Sequence, residues 1–168
     1  MNQKILFTLC FSFLLCFGIQ AQKFGYVNST QLLMEMPDVK QADSQLEAYQ
    51  KQLISKGESM VKTFEANYQA YVAEANTGNL SKVQMQNKEG VLTTEQQNIA
   101  KYEQEVQTKL IQKREELYKP ILAKVQTAID AIGADENYTM IFDTSQGALL
   151  HANSTQDLLN QIKAKLGI

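Results

Sequence analysis

Over most of this chain, between residues 30 and 132, apolar side chains return every three, four or seven positions, the pattern of one helix face. On the outgoing stretch Leu46, Leu53 and Met60 stand seven apart, and Phe64 and Tyr71 continue the stripe. On the returning stretch Met85, Leu92, Ile99 and Val106 stand seven apart, followed by Leu110 and Leu117. Gln, Lys and Glu fill the positions between. Seven-residue spacing sustained in this way predicts a coiled-coil hairpin. The helical pattern stops at Asn76-Thr77-Gly78-Asn79, and Ser81 is placed to cap the returning helix. From Ser81 to about Ile132 that helix would be roughly 78 Å long at 1.5 Å per residue, so the arms should project from any compact body. The seam is thin, because Gly57 and Asn67 fall where apolar residues would tighten it.

Outside the hairpin the pattern shortens. KFGYVN (23–28), YTMIFD (138–143) and ALLHA (148–152) read as strands, the last two separated by the turn signal Ser145-Gln146-Gly147 and close enough for a hairpin. Asn153, Ser154 or Thr155 is expected to cap a final helix with Leu158, Leu159, Ile162 and Leu166 on its apolar face. The expected division is a leader over 1–21, a body built from 22–36 and 120–168, and a helical arm over 37–119. Pro37 interrupts the first helix. Pro120 stands inside the second, between Leu117 and Ile121 of an apolar stripe that continues to Val125 and Ala128. Proline in a helix interior removes a hydrogen bond and costs about 3 kcal/mol, so Pro120 is a candidate hinge where arm meets body. Three short strands and one helix make a marginal sheet with open edges, and association of several copies is the simplest remedy.

The first residues change the compartment. Lys4 precedes an uncharged apolar run, Ile5–Ile19, and Gln20-Ala21 offers a small residue for cleavage, the pattern of a secretory signal peptide. Both cysteines, Cys10 and Cys16, would leave with it, so the exported chain would have no disulfide, thiol nucleophile or cysteine metal site. The full chain carries a net charge of −2, and loss of Lys4 makes it one unit more negative. No basic cluster suggests a nucleic-acid partner. The one histidine, His151, cannot build a histidine-rich metal site alone. No catalytic constellation, glycine-rich phosphate loop or cofactor motif stands out: Glu115-Glu116 and Glu103…Glu105 read as solvated helix faces, and Asp143-Thr144-Ser145 as a strand end and turn. The chain is therefore not expected to be an enzyme, nor to hold a cofactor or metal.

What remains is the surface of the arms. Met60, Phe64, Tyr68, Tyr71, Val72 and Met85 cluster toward the tip and cover more than one helix face. Methionine and tyrosine are adaptable contact residues, so these six are candidate client-contact positions beside their simpler role of packing the helices together.

Taken together, the leader, the opening strand FGYVNSTQLL, the charged helical hairpin and the closing run YKPILAKVQTAIDAIGADENYTMIFDTSQGALLHANSTQDLLNQIKAKL resemble the Skp/OmpH family of periplasmic chaperones. The resemblance implies a mostly α fold with a small β body, in which three chains join their strands into a barrel and hold three hairpins as tentacles around a cavity. It implies an ATP-independent holdase for unfolded outer-membrane proteins in the periplasm, acting as a homotrimer. The family's best-studied members are strongly basic. This chain is mildly acidic with a single arginine, Arg114, which weakens the case for a peripheral membrane or lipopolysaccharide contact and rests client holding more on apolar contact and enclosure. A structural coiled-coil adaptor of the cell envelope, binding one folded partner, would share the same fold.

Overall fold

The protein is described by a computed structural model over residues 22–147 and 149–168. The expected leader, with both cysteines and its cleavage point, lies outside the described residues. The chain separates into two compact units: Gln31–Gln126, and the stretches up to Thr30 and from Thr127 to Gly167.

The first unit is a helical hairpin. Ahead of it in sequence, strand β1 (Lys23–Val27) of the second unit is followed by helix α1 (Ser29–Glu35), which Pro37 ends. Met36, the residue before the proline, is extended at φ −73° and ψ 126°, because the proline ring excludes a helical neighbour. The same proline then serves as the first residue of α2 (Pro37–Asn76), where its missing N–H costs nothing. Gly78, at φ 71°, takes the left-handed turn between helices. Helix α3 (Lys82–Asp135) starts with a reciprocal cap: the Gln84 amide N–H donates to Ser81 Oγ at 3.3 Å, and the Ser81 N–H donates to Gln84 Oε1 at 2.8 Å. Helix α3 runs unbroken through Pro120.

The second unit holds the sheet. Strand β2 (Tyr138–Asp143) pairs with β1 in parallel, with Phe24 opposite Met140 and Val27 opposite Asp143. Parallel strands need a long crossover, and here the whole hairpin lies between them in sequence. The register fixes Gly25 beneath Leu158: a Cβ there would come within 2.6 Å of Leu158 Cδ1 and 3.0 Å of Tyr138 Cε1. Val27, Ala128, Ile132, Leu158 and Ile162 are buried in this unit.

Two expectations change. Residues 149–152 form no strand, so no hairpin joins them to β2. The free edge of β1 is occupied instead: the Leu158 N–H donates to the Tyr26 carbonyl at 2.9 Å, and Tyr26 bridges Asp157. A short apolar run becomes a strand only where an edge is open to it. The final helix α4 (Leu159–Leu166) is also capped later than expected. Asn153 caps a single 3-10 turn (Ser154–Gln156), and the carboxylate of Asp157 accepts the Leu159 N–H at 2.9 Å. The extra turn moves the N-cap from the expected 153–155 to Leu158.

Candidate functional site

The antiparallel register of α2 and α3 is set by polar clamps as much as by apolar packing. Partners rise on one helix as they fall on the other. Asp38 pairs with Lys124 at 2.8 Å, Tyr118 donates to Asp43, Asn67 donates to Glu95 at 2.6 Å, Tyr71 donates to Glu89 at 2.6 Å, and Glu74 pairs with Lys88 at 2.9 Å. Hydrogen bonding to Glu89 holds the Tyr71 hydroxyl above its ordinary range, with burial adding to the effect. Asp43 does the same to Tyr118. Asn67, an apparent defect in an apolar seam, is thus a cross-helix hydrogen-bond donor.

Gly57 is explained in the same way. The Tyr102 ring, 7% exposed, lies over it, and a Cβ on Gly57 would stand 3.5 Å from the ring. The Tyr102 hydroxyl donates to the Leu53 carbonyl at 2.9 Å. Lys56 and Lys109 each bring an ammonium to 5.2 Å from the ring centroid. Tyr102 was not singled out by the heptad pattern, because steps of seven from Met85 pass through Ile99 and Val106 and miss it. A glycine facing a tyrosine three residues after Ile99 was the available signal.

The six contact candidates divide by exposure. Tyr68 is 52% exposed and Val72 37%. Met60, Phe64, Tyr71 and Met85 are half-buried. Phe64 and Tyr68 stack, with ring centroids 6.2 Å apart. Tyr71 is committed to Glu89. Ile54 and Val61, not anticipated as contacts, are also exposed and extend the Tyr68 side of α2 at seven-residue steps. Ile54, Val61, Tyr68 and Val72 therefore make a second apolar stripe next to the seam of Leu53, Met60, Phe64 and Tyr71.

On the other flank of that seam the helices part. A groove of about 810 Å³ opens between them, floored by Met60 and Ile99 and edged by the hydroxyls of Ser55, Ser59 and Thr63. Glu95 reaches into it. One carboxylate oxygen accepts from Asn67, and the other, Oε2, is buried without a donor. A smaller hollow of about 320 Å³ lies beside Pro120, between Leu117 and Ile121 of α3 and Ala42 of α2.

Among the described residues no cluster of three or more His, Cys, Asp or Glu could hold a metal, and no helix is long and apolar enough to cross a membrane. Asp143 is a structural carboxylate. Burial pushes its pKa up, but hydrogen bonds from the hydroxyls and backbone N–H groups of Ser29 and Ser145 pull it down to about 2.

The family described as outer membrane protein (OmpH-like) matches residues 23–166. Among solved structures, a candidate outer membrane chaperone (OmpH-like) from Caulobacter crescentus CB15 superimposes with a TM-score of 0.73 at 13% identity, covering 89% of this chain and 86% of that one. No curated protein matches the chain.

Proposed function

The chain belongs to the OmpH-like family, and from that premise we propose that it is an ATP-independent periplasmic holdase, keeping unfolded outer-membrane proteins from aggregating. The observation that carries this reading is the exposed apolar stripe Ile54, Val61, Tyr68 and Val72 on α2, outside the seam of Leu53, Met60, Phe64 and Tyr71. Met60, Phe64, Tyr71 and Met85 would join it wherever the seam opens. Each side chain is only partly exposed, and burial returns about 25 cal/mol per Å², so one arm binds a client weakly. Useful retention needs several arms acting together.

The homotrimer supplies them. A parallel sheet is ordinarily covered on both faces, yet this one has two strands and leaves Met140 55% and Phe142 41% exposed, with Leu150 fully out. Strands from further copies would cover that surface and place three hairpins around one client. Export through residues 1–21 puts the protein in the periplasm, and Pro120 acts as the hinge that lets the cavity widen. With a net charge of −2, capture depends little on charge, and lipopolysaccharide is not the expected partner. Client affinity should change less than about threefold between low and moderate ionic strength, a weak dependence for a charged surface. A steep fall with salt contradicts the apolar mechanism.

Native mass spectrometry of the mature chain mixed with a urea-unfolded barrel protein, diluted to native conditions, tests the reading. A trimer that captures the unfolded client and ignores the folded one supports it. An oligomer that leaves the client to aggregate overturns it, and a search for one folded envelope partner would follow.

A further inference from the structure

Strand β1 begins one residue after the expected cleavage point. Gln22 is exposed and lies outside the strand, and Lys23 is the first paired residue, opposite Tyr138. A cut after Ala21 therefore leaves Gln22 as the first residue, with nothing else ahead of the sheet. Among the described residues, no hydrogen bond or ion pair holds the Gln22 side chain. Freed from its leader, a glutamine in this place carries two groups that react with each other: its α-amine and the carboxamide at Cδ of its own side chain.

We propose that Gln22 is a modification site, at which the side chain closes on the α-amine to give a pyroglutamyl N-terminus. The inference rests on the reading that residues 1–21 are removed on export, and it adds what becomes of the end so exposed. The amine nitrogen attacks Cδ of the carboxamide. An N–Cδ bond forms, the Cδ–Nε2 bond breaks, and Nε2 leaves as ammonia with the proton the amine gives up. Neither an oxidant nor water is consumed. The nucleophile is present at neutral pH, because an α-amine has an ordinary pKa of about 8, well below that of lysine. The side chain must fold back over its own nitrogen, and Gln22 has no strand pairing or partner to prevent it. Glutamines inside the chain have an amide nitrogen in place of the amine and do not react in this way.

The ring would guard the sheet. An exopeptidase working inward from a free amine has a single residue to remove before it reaches Lys23. The Lys23 ammonium pairs with Glu136 at 2.8 Å and lies 4.0 Å from the centroid of the Tyr138 ring. Phe24 follows, its ring centroid 6.2 Å from that of Phe142. Removal of these two residues strips the start of β1, one of the two strands of the sheet. A lactam offers such an enzyme no amine, and it also takes away a positive charge that would otherwise stand beside Lys23.

Intact mass and stepwise N-terminal degradation of the protein, purified from the envelope of cells that export it, test this. The expected wild-type species is residues 22–168 less about 17 Da, the mass of one ammonia, and it stays blocked until a pyroglutamyl peptidase removes the ring. Gln22→Asn keeps an exposed carboxamide but is one methylene too short to close an unstrained ring. That variant should carry its full mass and read from the first cycle. A broad-specificity aminopeptidase should shorten the variant and leave the wild type whole. A wild-type chain that begins at Gln22 with its full mass and a free amine overturns the modification and leaves the export reading intact. A chain that keeps residues 1–21, or begins elsewhere, overturns the proposed cut and the ring with it.

Discussion

Tyr102 and Gly57 show how one residue's apparent weakness is another's seat. From sequence, Gly57 is a gap in the seam; in the structure the gap holds a ring whose hydroxyl reaches the Leu53 carbonyl. The pair makes opposite predictions for two substitutions at one position. Gly57→Ala places its Cβ at ordinary contact distance and gains helix propensity, so it should stabilise by about 0.5–1 kcal/mol. Gly57→Leu must displace the ring and should cost about 1–3 kcal/mol. Tyr102→Phe keeps the packing and loses only the hydroxyl's bond, at about 1 kcal/mol. Urea midpoints for the three variants separate these outcomes, and a stabilising Gly57→Leu would refute the seating. Asp143 carries the acid response of the sheet unit. Its folded pKa, about 2, lies below the ordinary carboxylate value, so its stabilising contribution is present above about pH 4 and lost as pH falls toward 2. Asp143→Asn should lower the melting temperature at neutral pH and flatten that acid limb; a variant melting with the wild-type acid profile would assign the loss to other groups.

The helices and both strands of the sheet were legible in the sequence, whereas the pairing of those strands was not and the third strand expected at 148–152 did not form, for reasons that differ in range. The stripe through Leu117, Ile121, Val125 and Ala128, the stop at Asn76 and the cap at Ser81 are local signals, each decided within a few residues, and the structure has all of them. The strand expected at 148–152 depended on an edge contributed from elsewhere in the chain, and Leu158 had taken it. Of the contact candidates, spacing found the arm but not the facing: it could not separate exposed Tyr68 from Tyr71, which lies three residues on and is turned to Glu89. Glu95, drawn from a helix of many similar carboxylates, had no signal in one dimension. Pro120 belongs to this scale too. Helix α3 passes through it unbroken, but the proline has no N–H to offer the Glu116 carbonyl, so one rung of the ladder is missing beside the hollow at Leu117 and Ile121. Pro120→Ala should restore the rung and slow amide exchange across residues 116–124 by about tenfold. Equal exchange in the two proteins would remove the hinge.

For the whole molecule, the parallel pairing of β1 with β2 has a consequence for time. Phe24 is synthesised early, yet its partner Met140 lies beyond the entire hairpin. Closing so long a loop is entropically expensive before any contact compensates it, and folding slows as such distant pairings dominate. The turn at Gly78 and the cap at Ser81 join neighbours and can form first. The sheet should therefore be the last part to assemble on the folding pathway and nearly absent from its rate-limiting transition state. Gly25→Ala, which crowds Leu158, should accelerate unfolding while leaving the refolding rate almost untouched; Ser81→Ala should slow refolding. If instead Gly25→Ala slows refolding, the strands meet early and the hairpin zips up afterwards. On the expected order, a newly made copy passes through a period with formed arms and no finished sheet, when it is itself an unfolded chain in need of shelter.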